Sequence, residues 1–547
     1  MSNNLINTAL SGLNAAQAGL AAASNNISNY SVAGYNRQTA IIAEANGSHT
    51  ASGYMGNGVT VTGINREYNS FVVNQLLSAS TTNSALTTQS SQATQIENLF
   101  ADSTTSLSKA MQTFFTGIQT ITSNASDTSA RQTTIGQAQA MTSQFNRTAN
   151  YLNDLNSGVN QQIRDNVQQI NNYAQQIANL NQQITQTRAS TGQEPNALLD
   201  QRDQIVSQLN DVAGVTVSQQ DGGDYNVSIA NGIPLVQGTR TKTLTAIPSD
   251  SDASKLTVGL QNADGTSSAI EESRITNGSL GGVLSFRKDN LEPAINQLGQ
   301  LALTLADSFN TQSKAGFDLK GQPGVDFFSF DAKPNAISNA KNKGNSELDV
   351  SYTDTKSVKA SDYTLSYSAS GWTATRVSDG AVITPTHGDD GSLNFDGLSV
   401  KVSGDPSPKD SFTIKTVSNV ASTLNVAVTD SAQIAAASSA DAGVSDNTNA
   451  QKLLDLQKAK LVDNKSSLSD GYASMVSSIG NQVSALKTNV TSQGNIVKEL
   501  TTQQQSISGV NLNEEYGNLQ LYQQYYQANA QIVQTASTIF NALLSAI

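Results

Sequence analysis

Residues able to do chemistry are scarce in this chain, and none stands where chemistry needs it. It has two histidines, His49 and His387, and no cysteine among 547 residues. Each histidine sits alone in a polar loop, so neither a metal cluster nor a Ser/His/Asp arrangement has its parts. Without cysteine there is no thiolate nucleophile, no disulfide framework and no Cys-ligated zinc. Ser106 and Lys109, and again Ser285 and Lys288, have a Ser-x-x-Lys spacing. Chance supplies such pairs in a serine-rich chain, and no companion motifs accompany either. No Gly-rich strand–helix turn is present to cradle a phosphate. The expectation is a non-enzyme with no catalytic residues, no cofactor and no metal. The carboxylate pair Glu514-Glu515 flanks an apolar seam. It reads as a solvated or register-setting pair, or as the partner of a basic group on a neighbouring subunit.

What remains is a chain built to pack. Lys and Arg number 31 and Asp and Glu 43, for a net charge of −12. That balance argues against nucleic acid and against a membrane surface as partners, since both need basic patches. No run of about 20 apolar residues is available to span a bilayer. The opening MSNNLINTAL lacks the basic and apolar regions of a cleavable signal peptide. Charged residues make up only 14%, and neutral polar faces suit close packing against copies of the same chain.

The ends of the chain show matching seams. Leu512, Leu519, Tyr526, Val533, Phe540 and Ile547 recur every seven residues. Ile6, Leu13, Leu20 and Ile27 do the same at the start, with Ala9, Ala16, Ala23 and Tyr30 three residues after each. Such stripes are what one coiled-coil helix presents to another. Between them, Phe71, Leu76, Ile96 and Phe100 read as core anchors of a helix. Phe145, Leu152 and Val159, then Ile163, Ile170, Ile177 and Ile184, keep a seven-residue beat with one four-residue step, a coiled-coil stutter. From Val215 the period becomes two, with turn signals at Asp221-Gly222-Gly223 and Asn231-Gly232. Six short alternating runs between Thr364 and Ile414 predict a small β module, with Trp372, the only tryptophan, as a core anchor. Helix is expected again over 447–507, with a break at Gly509.

The fold class is therefore mainly α with β modules, an elongated multi-domain chain. Its N- and C-terminal helices pair as a coiled coil around an inner helical bundle domain with β-hairpins, which carries an inserted all-β domain. The expected units are residues 1–64, the N-terminal part of the coiled-coil domain with its connector, and 65–325, a helical domain with hairpins over 215–275. The inserted domain follows at 326–430, return helices at 431–507, and the C-terminal coiled-coil helix at 508–547.

Three blocks carry a resemblance. Asn25-Asn26-Ile27-Ser28-Asn29 resembles the N-terminal signature of bacterial flagellar axial proteins, the rod, hook and hook-associated proteins. Its continuation, Gly34-Tyr35-Asn36-Arg37-Gln38, is closer to the hook-associated protein 1 family. So are Leu198-Leu199-Asp200-Gln201-Arg202-Asp203 and the C-terminal block running from Gly509 through Tyr522-Gln523-Gln524-Tyr525. The resemblance implies a structural subunit that polymerises at the distal end of the hook and joins hook to filament. It implies type III export without a cleaved signal and a secreted, extracellular place in the flagellum. The implied partners are further copies in a ring or helical layer, the hook protein, a second hook-associated junction protein, and a cytoplasmic export chaperone on the C-terminal helix. Two alternatives stand beside it: a hook or rod axial protein, and a secreted adhesin using the 326–430 β domain.

Overall fold

The computed structural model describes residues 2–50, 53–101 and 106–545. In chain order its helices are α1 (Ser2–Asn29), α2 (Ser70–Ala101), α3 (Leu107–Ser123), α4 (Thr128–Thr191), α5 (Asn196–Ala213), α6 (Gly278–Phe286), α7 (Glu292–Lys314), α8 (Val420–Thr423), α9 (Thr448–Asp455), α10 (Leu468–Ser508) and α11 (Leu512–Ser545). Helix α4 is the spine. Asp127 caps its start by accepting from the N–H groups of Ser129 and Ala130, and Gly192, at φ +68°, ends it. Its 64 residues extend roughly 95 Å at about 1.5 Å per residue. Phe145, Leu152, Val159, Ile163, Ile170, Ile177 and Ile184 are all buried, so the four-residue step keeps one face inward.

A row of asparagines on α4 stitches the β-hairpins to the spine. The side-chain amides of Asn160, Asn171 and Asn181 donate to the carbonyls of Ser254, Leu244 and Tyr225. The same side chains accept from the N–H groups of Leu256, Leu244 and Tyr225. An asparagine offers a donor and an acceptor together, so each acts as one residue of a missing strand. The strands are Val215–Gln219, Tyr225–Ile229, Ile233–Gln237 and Arg240–Thr241 in one antiparallel sheet, and Leu244–Ser249, Asp252–Gln261 and Ser267–Ala269 in another. At the base of the bundle Phe114, Phe309, Phe327 and Phe328 form an aromatic knot, with ring centroids 4.8 to 5.9 Å apart.

The β-rich region between α7 and α9 holds two larger sheets, with Phe328–Ser329 and Asn425–Val426 as a separate two-stranded pair. One has five strands, with Ser411–Lys415 beside Tyr363–Ser368, and the other four, with Glu347–Tyr352 beside Leu398–Ser403. Strands Asn335–Ser338, Glu347–Tyr352 and Thr386–His387 add to the six runs expected. Trp372 is half-buried at the rim, against Tyr367 at 5.0 Å and Phe412 at 5.9 Å, rather than at the centre.

Two other expectations need correction. The helix expected over 447–507 is not continuous: residues 456–467 break it, and Asp463 and Asn464 both take φ +56°. Burial of Leu461 and Val462 holds this irregular stretch against the bundle. Phe71, read as a core anchor, is 69% exposed, because it lies at the first turn of α2, beyond its neighbours.

A charge cluster sits where the β-rich region meets the helical body. Lys255 pairs with Glu292 at 2.6 Å and Lys415 with Asp252 at 2.7 Å. Asp362 is buried beside them, and its Oδ1 lacks a hydrogen-bond partner. Burial pushes the Asp362 carboxyl up to about 6, against the pull of Lys255, with Glu292 pushing the same way and Lys415 opposing. A folded pKa above the unfolded value of 3.8 means stability is fully present below that value. It is lost as pH rises through the folded one. Asp362→Asn is therefore expected to stabilise the protein by roughly 2 kcal/mol near neutral pH. Urea titrations of both proteins at several pH values check this. The gain must shrink towards the acid end, and a constant difference would contradict the assignment.

Candidate functional site

The motif after α1 folds into a polar clamp. Asn26, 1% exposed, accepts from the Gln38 N–H at 2.9 Å and the Tyr35 hydroxyl at 2.8 Å, and donates to the Gln38 carbonyl at 2.9 Å. Aspartate could accept but not donate, which is the reason for an amide here. Gly34 takes φ +80°, and a Cβ there would lie 2.6 Å from Gln204 Oε1. The turn thus needs glycine for its conformation, while a Cβ would only push the tip of the Gln204 side chain aside. Asn36 then donates to Asp200 through its backbone N–H at 3.2 Å and its side chain at 2.6 Å. Arg66 reaches the same carboxylate at 3.0 Å and Asp203 at 2.6 Å. Arg37 donates its N–H to the Ser508 carbonyl at 2.8 Å, and its guanidinium meets Glu514 at 3.0 Å. The end of α1, the hairpin Gln38–Glu44 with Val59–Arg66, helix α5 and the α10–α11 corner are so tied at one point.

Electrostatics fit a fixed joint rather than a reactive centre. Burial pushes the Asp200 carboxyl upward, while its bonds to Asn36 and Arg66 pull it down. Burial works against the Arg66 charge, but Asp203 and Asp200 outweigh it and raise its pKa. The Tyr35 hydroxyl is pushed up to about 12 by burial, then by Asp200 and Glu515, and stays a neutral donor. Arg202 is buried 3.4 Å above the Tyr225 ring and donates to Asn181 Oδ1 and the Gly223 carbonyl. Burial lowers its pKa. The segment Leu198–Asp203 thus supplies a connector in each direction: Asp200 and Asp203 to the clamp, Arg202 to the hairpins.

Beyond the clamp lie α1 and α11, packed against each other. A Cβ on Gly12 would lie 2.5 Å from Asn529 Oδ1, and one on Gly19 would lie 2.6 Å from Tyr522 Cε1. Seven residues forward on α1 are seven back on α11, so the helices run antiparallel. The innermost line of α1 is Ala9, Ala16 and Ala23, all under 4% exposed. Ile6, Leu13, Leu20 and Ile27 flank it, half-buried. On α11, Glu515 and Ala536 are buried and Leu512, Leu519, Tyr522 and Val533 half-buried. Two expected seam residues, Tyr526 and Phe540, are exposed, and Ile547 lies outside the described residues. The alanines let the backbones approach closely, so larger residues of the first column are displaced to the edges. Among the motif residues, Asn25, Gln523, Gln524 and Tyr525 face outward, and Gly509 forms the corner between α10 and α11. Glu514 meets Arg37 of its own chain.

The candidates for chemistry find structural places. Ser106 caps α3 by accepting from the Lys109 N–H, which explains that spacing. Ser285 and Lys288 lie one turn apart, where α6 gives way to the π-helical turn Arg287–Leu291. His49 stacks edge-on to Tyr54 at 5.2 Å in a short hairpin, and His387 is exposed. Among the described residues no group of three or more His, Cys, Asp or Glu could hold a metal. None of the described helices is long and apolar enough to cross a membrane.

Comparison with known proteins adds the following. The family described as flagellar hook-associated protein FlgK helical domain matches residues 93–328. Residues 337–416 match the flagellar hook-associated protein 1 D2-like domain. The ends match more widely shared families, flagella basal body rod protein over 6–36 and the C-terminal family of flagellar basal body rod FlgEFG proteins over 503–546. Flagellar hook-associated protein 1 of Escherichia coli (strain K12) is 51% identical over 547 residues, covering 99% of this chain and all of that one. Its counterpart in Salmonella typhimurium is 49% identical over 551 residues, with 99% and 100% covered. The solved structure of the flagellar hook junction protein FlgK from Burkholderia pseudomallei superposes with a TM-score of 0.73 at 29% identity, over 80% of this chain and all of that one.

Proposed function

Because the chain belongs to the flagellar hook-associated protein 1 family, a family of structural proteins of the hook–filament junction and not of enzymes, we propose how it joins the two. The subunit polymerises at the distal end of the hook as a ring or helical layer. Helices α1 and α11 pair as an antiparallel coiled coil, and this terminal pair is the assembly device. The hook protein lies on one side and a second hook-associated junction protein on the other. The chain leaves the cell by type III export, with a cytoplasmic chaperone covering α11 beforehand, and works outside the cell. The units at 1–64 and 508–547 serve assembly, 65–325 and 431–507 form the body, and 326–430 projects as an insertion.

The observation that carries this reading is the half-covered state of both terminal helices. An isolated pair with half its apolar surface in water is marginal, and neighbouring copies supply the missing cover. The experiment is a charge placed in the seam. Leu519→Asp or Val533→Asp should abolish filament attachment, leaving bare hooks and shed filaments under the electron microscope. Each also costs the pair about 2–3 kcal/mol, while thermal unfolding of the body stays as in the parent. Normal attachment in either variant would remove the terminal pair from the joining function.

A further inference from the structure

The β-rich module is joined to the helical body by two neighbouring strands. The chain enters along Asn335–Ser338 and leaves along Ser411–Lys415, and these pair antiparallel. Two connections side by side make a pivot but do not fix an angle. The angle is set by side chains that cross between module and body. Lys415 meets Asp252 and Lys341 meets Asp250, at 2.7 and 2.6 Å. The Thr355 hydroxyl donates to Asp307 at 2.6 Å, the Gln300 amide to the Val358 carbonyl at 2.6 Å, and the Asn464 amide to Ser357 at 3.2 Å. Lys359 meets Asp463. These ties are polar, the kind about which domains of one chain turn.

Asp362 lies in the same joint and fits it badly when charged. Lys255 and Asp252 stand around it from the strand Asp252–Gln261, Glu292 from the start of α7, and Lys415 from the strand Ser411–Lys415. Lys255 and Lys415 are already paired, with Glu292 and Asp252. Asp362 accepts from the Thr416 N–H, but its Oδ1 has no partner and the residue is 8% exposed. With a proton on Asp362 the charges of the joint balance. Without it, one negative charge is shut between module and body, and opening the joint to water relieves that cost.

We propose that Asp362 is a proton-operated lock on the β-rich module: protonated, it holds the module at one angle to the helical body, and ionised, it frees the module to turn about its two connecting strands. The sign follows from the environments. Burial holds the carboxyl at about 6 in the closed joint, and hydration in the open one returns it to the ordinary 3.8. The closed value is the higher, so the lock is firmest below the ordinary value. It weakens as pH rises and weakens no further above the closed value. The two values limit the gain in open population to about a hundredfold. The lock belongs to the folded chain itself and operates with or without assembly.

The test exploits the absence of cysteine. A single Thr355→Cys places a thiol in the joint, where the residue is 8% exposed, so 4,4′-dithiodipyridine reaches it only when the joint opens. Val382→Cys, at a position 70% exposed in the module, corrects for the pH dependence of the thiol. Val400→Cys, at a buried position in the module, reports unfolding. From pH 4 to pH 7 the corrected labelling rate at position 355 should rise by about fiftyfold. With Asp362→Asn added it should change by less than about threefold. Should that variant misfold, Asp362→Ser takes its place. Labelling at 355 should outpace labelling at 400 at every pH. A rate at 355 that ignores pH, or a rise that survives the loss of the carboxylate, overturns the proposal. Equal rates at 355 and 400 overturn it as well, since the module would then unfold rather than turn.

Discussion

Asp200→Ala should release both terminal helices from the body. The substitution leaves the Asn36 backbone N–H without an acceptor, takes from its side-chain amide the shorter of two bonds, and removes one of the two carboxylates on Arg66. The site is closed to water: the side chains of Asp200 and Arg66 are 8% and 11% exposed. Removing one partner from such a buried pair costs about 3 kcal/mol, and the clamp has no second tie of similar strength between the turn 34–36 and α5. Asp200→Asn keeps an acceptor for Asn36 and should lose about 1 kcal/mol. Limited proteolysis measures the effect directly. In the alanine variant residues 1–60 and 505–547 should be cut several-fold faster than in the parent, with the same resistant body remaining. Swimming in soft agar should fail for the alanine variant and persist for the asparagine one. Unchanged cleavage of the ends in Asp200→Ala would mean that the clamp does not hold them.

That joint shows where local pattern in the sequence stops being informative. Asn26, Gly34, Tyr35, Arg37 and Gln38 were recognisable as a signature, but a signature does not name its partner. Asn36 meets Asp200 across 164 residues, and no period or spacing links positions so far apart. Leu198–Asp203 was recognisable too, again without its contacts. Periodicity did better where burial is one-sided. The buried face of α4 follows its seven-residue beat through the stutter, because a long helix on a sheet and a bundle has one inner face. In the β-rich region, runs with clear alternation stood out. Glu347–Tyr352 did not, since its partner strand Leu398–Ser403 supplies the burial that its own charges obscure.

The terminal seams show a subtler limit. A heptad pattern marks an apolar column, but does not say which column faces which neighbour. On α1 the large residues drew attention, whereas the alanines three positions later are the ones in contact. On α11 the column containing Tyr526 and Phe540 lies between the stripe that faces α1 and solvent. Tyr525, Ile532 and Ile539, all exposed, form a further stripe on α11 that the more regular column beside it conceals in the sequence. Small residues carry little hydrophobic signal, yet they decide how near two helices come.

For that reason the second large effect is expected at Gly19. A Cβ at this position would stand 2.6 Å from Tyr522 Cε1 and Cζ, pressed against the ring rather than at a flexible tip. Gly19→Leu must either turn the ring out or part the helices. Overpacking of this kind costs about 1–3 kcal/mol, and parting the helices also uncovers the alanine line on both sides. The terminal pair, already half-exposed, has little to lose before it opens. Filament attachment should fall to the level of Leu519→Asp, while melting of the body is unchanged. Gly12 provides the contrast. A Cβ there would meet the Asn529 amide, which can rotate away, so Gly12→Ala should join filaments nearly as well as the parent. The decisive variant is the double one. If the ring is the obstacle, Gly19→Leu with Tyr522→Ala should recover part of the attachment that Gly19→Leu loses, since the leucine can occupy the vacated space. A double variant no better than Gly19→Leu alone would show that the close approach of α1 and α11 is not what the junction depends on.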